Sequence, residues 1–188
     1  MSKFFGPSQL SDAPFFRGLF NDTRWSWLWL IARVYVGYQW INGALHKLTD
    51  PAWMKTGEAI QGYWMHAVSM PEAPAKPPIY FAWYRDLLQS LLDSNAQVVF
   101  GKLVSVGEFL IGLALIAGVF VGTAAFFGGL LNMSFLLAGS LSAGPVMLAI
   151  EILLMVAWKI AGHLGGNYFV HKYFGTFWQP GPLLKRKA

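Results

Sequence analysis

The stretch LVSVGEFLIGLALIAGVFVGTAAFFGGLLNMSFLLAGSLSAGPVMLAIEILLMVAW, running from Leu103 to Trp158, contains two ionisable side chains, Glu108 and Glu151. A bilayer core takes about 20 apolar residues per helical crossing, and each crossing must pair its own backbone groups. The apolar block that surrounds this stretch, from about Val98 to Gly165, is long enough for three such helices. Breaks are expected at Gly118 to Thr123 and at Ser140 to Pro145, where small and polar residues gather. Working outward, Trp25 to Leu45 supplies a fourth candidate. Arg33, Gln39 and Asn42 interrupt it, but Trp25, Trp27, Trp29 and Trp40 provide the aromatic flanks of a crossing. The expected architecture is an all-α integral membrane protein, a four-transmembrane-helix bundle with helices at about 25–47, 98–118, 122–140 and 145–164.

Composition agrees with a single membrane domain. The chain has 188 residues, of which 55% are hydrophobic and 12% charged, leaving no room for a separate soluble domain. The net charge of +5 is scattered or terminal rather than clustered, so no nucleic-acid partner is expected. The absence of cysteine excludes disulfide, thiolate and zinc-thiolate chemistry. Any electron carrier must then come from outside the recognisable motifs. Residues 1–24 hold no apolar run ahead of the first crossing, so no cleaved secretory signal is expected. Lys3, Arg17 and Arg24 precede that crossing, and Lys172, Lys185, Arg186 and Lys187 follow the last. Positive flanks place both termini in the cytoplasm, with the tail at about 165–188 inside and the connection at about 48–97 outside.

That connection carries structure of its own. Pro71, Pro74, Pro77 and Pro78 punctuate it, and an amphipathic helix over about 79–93 follows them. Tyr80, Trp83, Tyr84, Leu87, Leu88, Leu91 and Leu92 recur at helical steps opposite Arg85, Asp86, Gln89 and Asp93. It is expected either to lie at the membrane surface or to form part of a small folded cap over the outer mouth of the bundle.

Depth follows from counting about 1.5 Å per residue along antiparallel helices. Arg33 then lies roughly two thirds of the way in from the outer side, Glu108 and Asn132 near the middle and Glu151 in the outer third. An Arg33–Glu108 ion pair is the expected way to hold both charges in hydrocarbon, whether it serves function or only helix register. Glu151 has no basic residue at its depth, since Lys159 is about two turns deeper. Hydrocarbon favours the neutral form of such an acid, which can donate to a quinone carbonyl or pass a proton. At the outer end, Lys47 is favoured by the helix dipole and by snorkelling. Lys47, His46, Arg85 and Lys102 are also candidates to converge as a site for a small oxyanion. The four histidines, His46, His66, His163 and His171, lack ligand spacing, so no metal or haem site is expected. Ala114, Gly118 and Gly122 form a small-residue ladder suited to close helix packing.

Several segments together resemble the DoxX/DoxD family of small prokaryotic membrane proteins. They are Arg33-Val-Tyr-Val-Gly-Tyr-Gln-Trp40 with Gly43 and Lys47, Tyr80-Phe-Ala-Trp-Tyr84, and Lys102-Leu-Val-Ser-Val-Gly-Glu108 with the following Gly-Leu-Ala-Leu-Ile. The set continues with Ala125-Phe-Phe-Gly-Gly-Leu-Leu-Asn132 and Ala157-Trp-Lys-Ile-Ala-Gly162. The resemblance spans about Trp25 to Gly166 and implies a four-helix bundle in the cytoplasmic membrane. For the DoxD branch it implies a subunit of thiosulfate:quinone oxidoreductase, which makes tetrathionate and partners a second subunit, DoxA. The matching polar positions are Arg33, Lys47, Glu108 and Asn132. Together with Glu151 from the depth argument, Glu108 and Asn132 are candidates to surround a membrane quinone in a pocket lined by Trp40 and Trp158, with the anion entering near Lys47 and with Glu108, Glu151 and Arg33 as the catalytic candidates. A non-catalytic subunit that anchors a larger redox complex and a small-solute transporter are the other function classes that these residues admit.

Overall fold

A computed structural model describes residues 13–173, 175–176 and 179–180. Lys3, Lys185, Arg186 and Lys187, on which part of the orientation argument rests, lie outside them. The described chain is helical apart from loops and one two-residue antiparallel pairing, Gly175–Thr176 with Gln179–Pro180. In order, the helices are α1 Pro14–Asn21, α2 Ser26–Thr49, α3 Pro51–Met54, α4 Glu58–Val68, α5 Ala82–Asp93, α6 Gln97–Ala117, α7 Val121–Leu137, α8 Gly144–Val156, α9 Trp158–Ala161 and α10 Gly166–Tyr173.

α2, α6, α7 and α8 form the bundle. α2 packs chiefly on α6 and α7 on α8, while α6–α7 and α2–α8 contacts close the ring. α2 and α6 cross at glycine: a Cβ on Gly37 would stand 2.9 Å from the Gly112 carbonyl oxygen, and one on Gly112 would stand 2.7 Å from that of Gly37. Only bare backbones approach this closely. α6 ends at Gly118, whose φ of 68° is left-handed and suits glycine at a helix terminus. The expected ladder through Ala114, Gly118 and Gly122 is therefore interrupted by a turn. Gly122 faces Trp158 instead, whose Cβ would be 2.8 Å from an added Cβ.

The fourth helix is shorter than expected. α8 stops at Val156, and the chain continues as α9 and a glycine-containing turn rather than unbroken to residue 164. Among the described residues, α6 alone is long and apolar enough to qualify by itself as a membrane crossing; α7 and α8 are shorter apolar helices. Around an apolar core the bundle exposes large apolar side chains and buries four strongly polar ones. Leu103, Leu110, Phe126 and Ile152 are 63%, 56%, 54% and 48% exposed, whereas Arg33, Glu108, Asn132 and Glu151 are all buried.

The connection between α2 and α6 folds as a cap, the second of the two forms expected for it. α4 and α5 pack on each other, and α3 and α4 pack on α6. Ile60, Trp64 and Ala67 of α4 share a core with Tyr84 and Leu88 of α5 and with Val104 and Ala138 of the bundle. The Tyr84 hydroxyl donates to the Ser134 carbonyl at 2.8 Å, fastening the cap to α7. Sequence reading left α4 unassigned, although Ile60, Trp64 and Ala67 recur at helical steps.

Candidate functional site

Two buried polar clusters meet at the end of the bundle beneath the cap. In the first, Lys47 Nζ stands 2.5 Å from Glu108 Oε1. Helical side chains lean toward the N-terminus of their own helix. On the antiparallel α2 and α6, that lean carries Lys47 into the bundle and Glu108 outward, so the two heads converge. The ammonium also lies over the rings of Trp53, at 4.9 Å from the centroid, and Phe135, at 5.4 Å. Glu108 Oε2 is buried and has no hydrogen-bond partner. Gly43 keeps the space near it open, since a Cβ there would come within 3.7 Å.

In the second cluster Glu151 accepts hydrogen bonds from Trp40 Nε1 and Asn132 Nδ2, each at 2.7 Å. α2, α7 and α8 thus each contribute one side chain. Gly128 makes the close approach possible, because a Cβ there would lie 2.5 Å from Glu151 Oε1. Glu151 is held by neutral donors and has no cation beside it, as its depth led us to expect. A cavity of about 310 Å³ lies beside both clusters, lined by Lys47, Glu108, Trp40, Asn132, Trp53 and Tyr63 among others.

The structure corrects three expectations. Arg33 does not pair with Glu108. Its Nη1 donates to the carbonyls of Leu115 and Ile116, and its Nη2 to that of Leu164, all at 2.6 Å. The same lean toward the N-terminus of α2 carries Arg33 away from Glu108, to the C-terminal end of α6, where free carbonyls and the helix dipole favour a cation. Trp158 packs on Gly122 at that same far end and does not line the cavity. The proposed anion quartet does not converge on this cavity: His46 and Lys102 are exposed, and Arg85 bonds to Met70 Sδ at 3.1 Å. Of the four, only Lys47 reaches the cavity. Trp40 and Asn132 stand where they were expected. Trp53 and Tyr63 were missed because they come from cap segments that carried no predicted element. Among the described residues, no group of three or more His, Asp or Glu is placed to hold a metal ion.

Tyr63 closes the cap side of the cavity and donates to the Phe135 carbonyl at 3.3 Å. Burial, reinforced by the neighbouring Tyr84, pushes its phenol up to about 12. An unfolded tyrosine ionises near pH 10, so between pH about 10 and about 12 only the unfolded chain releases this proton. Stability is expected to fall as pH rises through that window. Thermal melts of Tyr63→Phe should show a shallower alkaline decline than those of the native chain; an identical decline would contradict the buried, protonated phenol.

No family model, curated protein or solved structure matches the chain.

Proposed function

We propose that the chain is a four-crossing bundle of a prokaryotic cytoplasmic membrane, with both termini inside, and that the cavity under its cap binds the head of a membrane quinone. In this reading it serves as a DoxX/DoxD-like subunit of a quinone-linked oxidoreductase. The membrane assignment is supported by the apolar outer face of the bundle: lipid tolerates the exposed leucines, phenylalanines and isoleucines, and Arg33, Glu108 and Glu151 are buried inside. α7 and α8, at 17 and 13 residues, are short for a full bilayer, and local thinning of the bilayer together with the flanking α9 accommodates them.

The observation that carries the ligand assignment is Glu108 Oε2, a buried carboxylate oxygen without a partner beside an aromatic-lined cavity. A buried acceptor left unpaired is costly, and a ligand hydroxyl would satisfy it. A quinol supplies such a hydroxyl on a flat ring that suits walls of Trp40, Trp53 and Phe135. Lys47 provides the positive charge for an oxyanion. With thiosulfate as donor, two thiosulfate ions each lose one electron and join through a new S–S bond as tetrathionate, while quinone gains two electrons and two protons to become quinol. A second subunit resembling DoxA, or a larger redox complex, would relay electrons where the two substrates do not meet. The exposed aromatic edge at the start of α5, with Tyr80 just before the helix at 90% and Trp83 within it at 60% exposure, favours a partner of that kind.

A short-chain quinone analogue titrated into detergent-purified protein is expected to quench tryptophan fluorescence saturably. Trp53→Phe should remove part of the quench with little change in affinity, and Glu108→Gln should weaken binding of the quinol about tenfold. Non-saturable quenching, unaffected by either substitution, would dismiss the quinone site. Thiosulfate-dependent reduction of the same analogue, with and without co-purified chains, tests the reaction itself.

A further inference from the structure

At the opposite end of the bundle α9, α10 and the turn between them surround a second cavity, of about 300 Å³, lined by Lys159, His163, Asn167, Tyr168 and Lys172. Each of these side chains can donate a hydrogen bond, and none is acidic. From Ile152 to Ala188 the sequence contains no Asp or Glu. Among the described residues neither lysine meets a carboxylate. Lys159 Nζ rests over Trp158 at 6.0 Å, and Lys172 Nζ rests over Tyr168 and Tyr173 at 5.9 and 5.6 Å. Ring faces of this kind hold exposed amines more weakly than an anion with charge-assisted hydrogen bonds would.

The wall between the lysines is rigid. Asn167 accepts the Phe120 backbone N–H through Oδ1 at 2.6 Å, and its own backbone N–H donates to the Gly118 carbonyl at 2.7 Å. That pins the start of α10 to the turn between α6 and α7, with the Asn167 Nδ2 hydrogens outside this bond. Leu164 and Phe169, 49% and 60% exposed, continue the rim as apolar surface. A cationic pocket with no acid in its lining, whose lining residues His163 and Tyr168 are followed in the chain by the exposed apolar Leu164 and Phe169, matches a ligand that is anionic at one end and apolar at the other.

We propose that this cavity binds the phosphate of an anionic phospholipid, with the acyl chains lying along Leu164 and Phe169. The assignment rests on the membrane part of the reading above and is independent of the quinone site. In the four-crossing topology this end faces the cytoplasmic leaflet, where anionic headgroups attract basic side chains.

Protein purified in mild detergent is to be mixed with phosphatidylglycerol, with phosphatidylcholine, or with inorganic phosphate, and bound lipid read by native mass spectrometry alongside the melting temperature. Phosphatidylglycerol is expected to stay bound and to raise the melting temperature, and phosphatidylcholine to do neither. Lys159→Gln and Lys172→Gln, both at exposed positions, should each weaken phosphatidylglycerol binding about fivefold, and together about twenty-fivefold. Quinone quenching should be unchanged in both variants, which separates this site from the other. Equal retention of the two lipids, or affinity unaltered in the double variant, would overturn the proposal. Inorganic phosphate that binds as tightly as phosphatidylglycerol and displaces it would overturn the lipid assignment in favour of a free oxyanion.

Discussion

Replacing Lys47 with methionine is expected to destabilise the folded bundle by about 3–5 kcal/mol, because it leaves Glu108 buried without its counter-ion. Glu108 is 1% exposed, and its second oxygen already lacks a partner, so the loss of Lys47 would orphan the whole carboxylate. Methionine preserves much of the lysine stem that packs near Trp53 and Phe135, which confines the change to the charge. Adding Glu108→Gln to Lys47→Met should recover most of the lost stability, since a neutral amide costs far less to bury than an unpaired carboxylate. Melting temperatures of the two single variants and the double variant form the test. Binding should not recover with stability: the double variant lacks both the cation and the carboxylate that face the cavity. Equal melting temperatures in Lys47→Met and the native chain would mean that water reaches Glu108.

The four bundle helices were legible from hydropathy because an apolar run needs no knowledge of its neighbours. The breaks at Gly118 and at Ser140 to Pro145 were legible for the same reason. Pairings across helices were less so. Counting depth by Cα position put Arg33 within about one turn of Glu108, but side chains as long as Arg and Lys are displaced along the helix by their lean. On antiparallel helices that displacement separates Arg33 from Glu108 and joins Lys47 to it. Trp40, Asn132 and Glu151 were each legible as candidates around one pocket, but their direct contact was not, because counting depth set Asn132 near the middle and Glu151 in the outer third. The cap was half legible: the pattern in α5 is amphipathic, whereas α4 is mixed on most faces, and its few buried residues define it only once α5 covers them. Nothing in the spacing of Trp53 and Tyr63 ties them to Lys47. Their place depends on how the cap folds back.

Arg33 is expected to be as costly to lose as Lys47, for a different reason. Its guanidinium joins three segments, α2, the end of α6 and the turn after α9, through the carbonyls of Leu115, Ile116 and Leu164. Arg33→Ala should destabilise the bundle by about 3–5 kcal/mol, through lost charge-assisted bonds and newly unpaired carbonyls. Arg33→Lys should recover only part of this, since an ammonium cannot reproduce the planar fork. Gly118 provides the discriminating measurement. A Cβ at Gly118 would lie 2.8 Å from the Arg33 guanidinium carbon, and the residue sits at a φ of 68°. In the native chain Gly118→Ala should therefore meet two penalties, the left-handed backbone, worth about 1–2 kcal/mol, and the collision with Arg33. In the Arg33→Ala background the collision disappears and only the backbone cost remains. Melting temperatures over the four-member cycle should show Gly118→Ala to be milder when Arg33 is absent. Strict additivity would mean that the guanidinium does not occupy the cradle at the end of α6, and the cost of Arg33→Ala would need another cause.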